Sequence, residues 1–393
     1  MAFGINKSRL SPIGIDFGVD TVKMLQVSTG ETTQLIGAGA LVVSDDARKD
    51  SPARYAFLTD SVKELVRQQP FKGRRVMCSI PASQTFVAAF ELPCGENDKI
   101  DQQVNLHLQT TLEMDPSRMV IRNHRIGSVI RDGVTRQRVI CVAAKRAVVM
   151  RYLEIAAAAK LEVVGMHSEP DCIAKCFSEL YNRRDADRTQ ARCFVDIGAA
   201  ATKLVIIRDQ EILLARNIAM SGDELTHRHA REHQMAFAQA RLARVREAGN
   251  PLAANPFGVG LNEKSDPTTL LTEEPNGDHC ERRMAGFEAE IGEPELLDEV
   301  LDKLVDGIRM SIRYHDSLCP ESIVERIVLL GGEALHQDIA QSVAQQLGIP
   351  TFIGDPMARV MRTPGLQPLN IDVNNAQPGW AVPLGLCLSD ANI

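Results

Sequence analysis

Asp16 and Asp196 occupy equivalent places in two copies of one pattern, Asp-x-Gly-x4-Lys. It runs from Asp16 through Gly18 to Lys23, and again from Asp196 through Gly198 to Lys203, 180 residues further on. The chemistry open to such a pattern is specific. An aspartate at a strand end can hold a hydrated Mg²⁺, while a glycine in the following turn adopts φ > 0 and brings backbone N–H groups close to a phosphate. A single Asp-x-Gly also occurs in ordinary hairpin turns; two copies in register, one in each half of the chain, favour a duplicated phosphate site. A third segment adds a surface for a ring system. The apolar run 327–330 is followed by Gly331-Gly332 and by a helix expected over 334–346, with Leu335, Ile339, Val343 and Leu347 on one face. Glycines between strand and helix let backbone lie flat against an adenine.

These residues need elements to hold them. Each Asp ends an apolar strand and a second strand begins near the Lys, so each copy reads as a β-hairpin. Between the copies, Leu58, Val62, Leu65 and Val66 take helical spacing, 75–80 reads as a strand ended by Pro81, and 85–92 as another. A helix is expected over 99–112 with Ile100, Val104, Leu108 and Leu112 on one face, then two strands over 129–142 about Asp132-Gly133, then an Ala-rich helix over 145–160. Ser168 caps a further helix with Pro170 in its first turn. The polar run 183–190 reads as a linker between halves. A long polar helix is expected from Ser221 to about Glu247, and 249–293, with four prolines and six glycines, as a flexible insertion. Helix resumes at Pro294 with Leu297, Leu301, Leu304, Ile308 and Ile312 as its stripe.

Composition narrows the function. At 393 residues, 44% hydrophobic and 24% charged, the chain is globular and longer than one domain. With 51 acidic and 44 basic residues, one Trp and four Tyr, it lacks the basic stripe a nucleic-acid partner needs. No apolar run reaches the ~20 residues that span hydrocarbon, and no leader is apparent, so a cytoplasmic location is expected. The nine cysteines fit reduced thiols, with Cys172 and Cys176 read as buried small residues before a metal half-site. His227, His229 and His233 read as a solvated helix face before a zinc site.

The segments IGIDFGVDTVKMLQV at 13–27, VICVAAKRAVVMRYLEIAAAAKLEVVGMHSEPDCIAKCF at 139–177, VDIGAAATKLVII at 195–207 and IVLLGGEALHQDIAQSVAQQLGIPTFIGDP at 327–356 resemble the actin, Hsp70 and sugar-kinase superfamily. Within it they are most similar to the PilM family of type IV pilus assembly proteins, close to the division protein FtsA. The resemblance implies an α/β, actin/Hsp70-like (ribonuclease H-like) two-domain nucleotide clamp with an FtsA/PilM-type inserted subdomain. It assigns 1–83, 147–183 and about 380–393 to the first actin-like subdomain and 84–146 to the insertion. It assigns 191–222 and 325–379 to the second actin-like subdomain, and 223–324 to a helical subdomain carrying the 249–293 insertion.

The resemblance also implies a site. ATP with Mg²⁺ would contact Asp16, Gly18, Thr21 and Lys23 of the first hairpin and Asp196, Gly198, Ala199 and Thr202 of the second. Gly331, Gly332 and Glu333 would complete it, with Arg241 and Arg244 where FtsA-like proteins carry a ribose-binding Glu-x-x-Lys. Asp16 and Asp196 would be the metal ligands, and binding would depend on Mg²⁺. For Lys203 a solvent-facing position is the simpler reading. Two departures argue for slow or absent hydrolysis: Asp20 places a carboxylate near the triphosphate, repulsive unless bridged or turned away, and arginines replace the Glu-x-x-Lys pair.

By the same resemblance the partner is the cytoplasmic N-terminal segment of a PilN-like inner-membrane protein, with coupling to pilus motor ATPases. The membrane would be reached through that partner and not by direct insertion, since the ending 387–393 lacks the amphipathic anchor of FtsA. An FtsA-like division protein and a small-metabolite kinase are the alternatives; a kinase needs a carboxylate base facing a substrate pocket, and no motif singles one out.

Overall fold

The computed structural model describes residues 9–49, 51–93, 100–111, 114–181, 190–247, 286–287, 299–320, 322–372 and 374–392. The expected linker 183–190 falls almost entirely outside them. So does the expected flexible insertion 249–293, apart from a short strand at 286–287.

The first half opens with β1 (Arg9–Leu10), β2 (Ile13–Phe17), β3 (Thr21–Thr29) and β4 (Thr33–Val42). All five residues of β2 are buried, as a central strand covered on both faces requires. Helix α1 (Pro52–Gln68) starts with Ser51 accepting from the Arg54 N–H and buries Leu58, Val62 and Leu65. It leads to β5 (Arg75–Ile80), which runs parallel to β2. The insertion follows as β6 (Thr85–Pro93), α2 (Ile100–Thr111), β7 (Met119–Arg131) and β8 (Val134–Lys145). Asp132 at φ 51° and Gly133 at φ 75° form its expected tight turn. Its sheet, ordered β6-β8-β7, is covered by Ile100, Val104 and Leu108 of α2. Then come α3 (Arg146–Ala158), β9 (Glu162–Ser168) and α4 (Glu169–Tyr181), where the Asp171 N–H donates to Ser168 Oγ at 3.3 Å as the cap.

The second half repeats the plan. It comprises β10 (Ala191–Ile197), β11 (Thr202–Arg208), β12 (Glu211–Ile218), α5 (Gly222–Glu232), α6 (Phe237–Glu247), β13 (Gly286–Phe287) and α7 (Glu299–Leu318). After these come β14 (Val324–Leu330), α8 (Gln337–Leu347), β15 (Thr351–Ile353), β16 (Val360–Met361) and α9 (Ala381–Leu388). The sheet order β4-β3-β2-β5-β9 in one half matches β12-β11-β10-β14-β15 in the other. In both, the Asp-bearing strand is central, antiparallel to the Lys-bearing strand and parallel to its other neighbour. The sequence repeat is therefore a repeat of architecture.

Four elements differ from expectation, the first being β7, which begins at Met119 and not near 129. The helix expected from Ser221 to Glu247 is two helices, α5 and α6, because Gln234 turns to φ 51° and breaks the ladder without a Gly or Pro to announce it. The helix expected from Ala334 begins at Gln337, after a tight 3₁₀ turn over Gly332–Leu335. The return to the first half comes before Trp380: β16 pairs with β4, and the Leu369 and Ala40 backbones hydrogen-bond at 3.0 Å. That segment belongs to the first half's sheet, where it covers the edge that β4 would otherwise expose.

The halves meet on α4. Cys172, Ile173 and Cys176 are fully buried there, and the Phe177 and Phe194 rings stack at 4.7 Å, a contact of about 1 kcal/mol beyond its burial. The two cysteines are small core residues, as expected: a Cβ on Gly385 would collide with the Cys172 backbone, so α9 crosses α4 only with small groups at the crossing. Pro383 fits in α9 because it lies in the first turn, where its missing N–H has no helical acceptor. The insertion also leans on the second half, where the Arg138 guanidinium donates to the Leu213 carbonyl at 3.3 Å.

Candidate functional site

The C-terminal ends of β2 and β10 open into one cleft between the halves. Asp16, Gly18, Thr21 and Lys23 line one side, Asp196, Gly198 and Ala199 the other, and Gly331, Gly332 and Glu333 an end wall. The family resemblance had grouped these three segments. Thr202 is the exception, since its buried hydroxyl meets Met220 Sδ at 3.7 Å and it is absent from the cleft lining.

Asp16 is held by a residue outside the repeated motif. Ser79, at the end of β5, donates to Asp16 Oδ1 at 2.9 Å, while Lys23 Nζ lies 3.9 Å from Oδ2. Lys23 also donates to the Gly379 carbonyl at 2.7 Å. Burial raises the Asp16 carboxyl above its ordinary range even though Lys23 and Lys203 act to lower it.

The second hairpin is built differently, and Lys203 does not face solvent. Its ammonium lies 3.0 Å from Asp196 Oδ2 and 2.9 Å from Glu169 Oε2, and all three side chains are less than one-tenth exposed. Burial works against the ammonium, but Asp196 and Glu169 outweigh it and raise the lysine pKa. Burial likewise pushes Glu169 up to about 7, against the pull of Lys203. Glu169 also lies outside the motif: it is the first residue of α4 and has no motif partner nearby in the sequence.

Gly331 is required by close approach. It sits at φ 86°, its N–H donates to the Pro378 carbonyl at 3.1 Å, and a Cβ would strike the Ile197 carbonyl and Asp196 Oδ1. Gly332 faces open space, with no atom within 4 Å of where its Cβ would stand, and it is the glycine that leaves room for a flat group.

Arg241 and Arg244 line an adjoining compartment that shares Ala199, Gly332 and Glu333 with the cleft. Both are engaged by the protein. Arg244 pairs with Glu333 and donates to the Gly222 carbonyl at 3.1 Å; Arg241 lies 3.1 Å from Asp20 and 2.6 Å from Asp45. Arg48 pairs with both Asp20 and Asp223, so Asp20 is clasped by two guanidinium groups and its charge is balanced. These pairs tie the halves together. Burial raises the Asp223 carboxyl in spite of Arg48.

Asp196 and Glu169 are bridged by an ammonium, Asp16 accepts from Ser79, and no group of three His, Cys, Asp or Glu among the described residues is arranged to hold a metal ion. Both aspartates expected as Mg²⁺ ligands are thus engaged by protein groups, Asp16 by Ser79 and Asp196 by Lys203. The His229 and His233 rings lie 4.3 Å apart and are tilted by 45°.

The sequence pattern of the family described as type IV pilus assembly protein PilM matches residues 14–251, more than half of the chain. The chain belongs to that family. The match spans both hairpins and Glu169, while Gly331-Gly332 lies beyond it. Among solved structures, a PilM-PilN type IV pilus biogenesis complex superposes with a TM-score of 0.69 at 19% identity, covering 98% of each chain. The ethanolamine utilization protein EutJ from Carboxydothermus hydrogenoformans matches at a TM-score of 0.48 and 13% identity, covering 97% of this chain and 90% of its own. MreB5 of Spiroplasma citri bound to ADP matches at 0.41 and 13%, covering 96% and 94%. The chain has the two-domain actin-like fold. No helix among the described residues is long and apolar enough to cross a membrane.

Proposed function

We propose that this chain is a nucleotide-binding scaffold of type IV pilus assembly. ATP or ADP enters the cleft, the Gly18 and Gly198 turns and Lys23 meet its phosphates, and the base lies toward Gly332 and the Arg241–Arg244 compartment. The occupied form then presents a groove to the cytoplasmic N-terminal segment of a PilN-like inner-membrane protein, through which the chain reaches the membrane. The observation that carries this reading is the convergence of both Asp-x-Gly turns and the Gly331-Gly332 turn on one cleft. Family membership supports the assembly role, and the superposed solved structure is of a PilM with its PilN. Edge strands β6 and β7 of the insertion suit a short peptide, which can extend a sheet edge.

Hydrolysis should be slow or absent. A hydrolytic water needs a carboxylate free to accept its proton, and Glu169 is engaged by Lys203. A clamp that signals by occupancy needs no rapid turnover. Calorimetry with the full chain tests the reading: ADP and ATP should bind, and a peptide copying the partner's N-terminal segment should bind more tightly to the nucleotide-loaded form. Failure to bind either nucleotide overturns it.

A further inference from the structure

Lys203 stands where the duplicated pattern would place a charge-balancing ion. We infer that its ammonium is a built-in cation of the phosphate site, doing the electrostatic work of a divalent metal, so that nucleotide enters this cleft without Mg²⁺. The inference rests on the nucleotide reading above and deepens it.

Three carboxylates, those of Asp16, Glu169 and Asp196, are buried around the floor of the cleft. Left without cations they would repel one another and any phosphate. Two ammonium groups answer them. Lys23 reaches Asp16 at 3.9 Å and leans on the Gly379 carbonyl, while Lys203 touches Asp196 and Glu169 at 3.0 and 2.9 Å. Lys203 still lines the cleft, close to the Gly198 turn, so its charge is presented to a phosphate held there. A divalent ion would have to displace an ammonium that holds two carboxylates from different elements, β10 and the start of α4. The fixed ammonium costs no dehydration of a free ion and cannot be removed by a chelator.

The test compares ADP affinity of the full wild-type chain in EDTA and in excess Mg²⁺, by calorimetry. The two affinities should agree within about threefold, well short of the tenfold that marks a lost strong interaction. Binding that is at least about tenfold weaker in EDTA overturns the inference and leaves the nucleotide reading standing. No binding under either condition overturns the nucleotide reading, and the inference with it.

A second arm uses the double variant Lys203→Met/Glu169→Gln, which removes the cation together with one carboxylate it balances and so spares the fold. With Asp196 released beside Asp16, ADP binding in this variant should fall by about tenfold or more in EDTA and recover on adding Mg²⁺ or Mn²⁺. Binding as metal-independent as that of the wild type would overturn the assignment to Lys203.

Discussion

The two hairpins share a motif and a register, with Asp16 opposite Lys23 and Asp196 opposite Lys203, yet their lysines do different things. Lys23 has one carboxylate at 3.9 Å and spends its best hydrogen bond on the carbonyl of Gly379, which leaves it partly accessible to the cleft. Lys203 is bound to two buried carboxylates. The difference comes from what each hairpin faces. Beside Asp16 stands the neutral hydroxyl of Ser79 on β5, whereas beside Asp196 stands the ionisable Glu169 at the head of α4. Equal motifs acquire unequal electrostatics from their neighbours.

Removing each lysine in turn should expose the difference between the hairpins most strongly. Lys203→Met leaves Asp196 and Glu169 buried and uncompensated and should cost about 3–5 kcal/mol of stability. Lys23→Met loses the Gly379 hydrogen bond and a longer, 3.9 Å contact to Asp16, which keeps its Ser79 hydrogen bond, and should cost less, about 1–2 kcal/mol. Urea unfolding of both variants reads the difference, and equal losses would dissolve the asymmetry. Adding Glu169→Gln to Lys203→Met should restore much of the loss.

A pH series sharpens the same point. The folded-state pKa of Glu169, about 7, lies above the ordinary glutamate value of 4.5, so the folded chain holds this proton more tightly. The stability it contributes is complete below about pH 4.5 and is lost as pH rises through about 7, a change of roughly 1–3 kcal/mol. Thermal midpoints from pH 5 to 8 should therefore decline more steeply in the wild type than in Glu169→Gln. Parallel curves would show that Glu169 is not the group responsible.

Nucleotide affinity separates the lysines in another way. Lys23→Ala should weaken ADP binding by about tenfold, since its ammonium has one carboxylate, at 3.9 Å, and keeps capacity for a phosphate. Calorimetry that finds no change would move the phosphate contact elsewhere. The smallest effect belongs to Thr202. Among the described residues its hydroxyl meets the Met220 sulfur, so Thr202→Val should alter stability by no more than about 0.5 kcal/mol and leave ADP affinity unchanged. A loss of binding there would return Thr202 to the site.

Much of the fold was legible because its signals are local. The Asp-x-Gly-x4-Lys repeat, the apolar strands beside it, the Asp132-Gly133 turn and the Ser168 cap each lie within a few residues of chain, where periodicity and turn chemistry act. The helix break at Gln234 was not legible, because no Gly or Pro marks it. Nor was the crossing back through β16, which depends on an exposed edge of β4 far away in the chain.

The chain's own residues specify two paired Asp-x-Gly turns and a Gly-Gly turn that accompanies them. They also carry the family, whose pattern covers both hairpins. Only the tertiary structure decided which charges meet: Lys23 with a carbonyl 356 residues away, Arg48 with Asp223 at a separation of 175, and Lys203 with Glu169. The physical reason is range. Hydrogen-bonded turns and apolar periodicity are set by neighbours along the chain, whereas the state of a buried charge is set by whatever the fold brings within a few ångströms, and identical motifs carry no record of that.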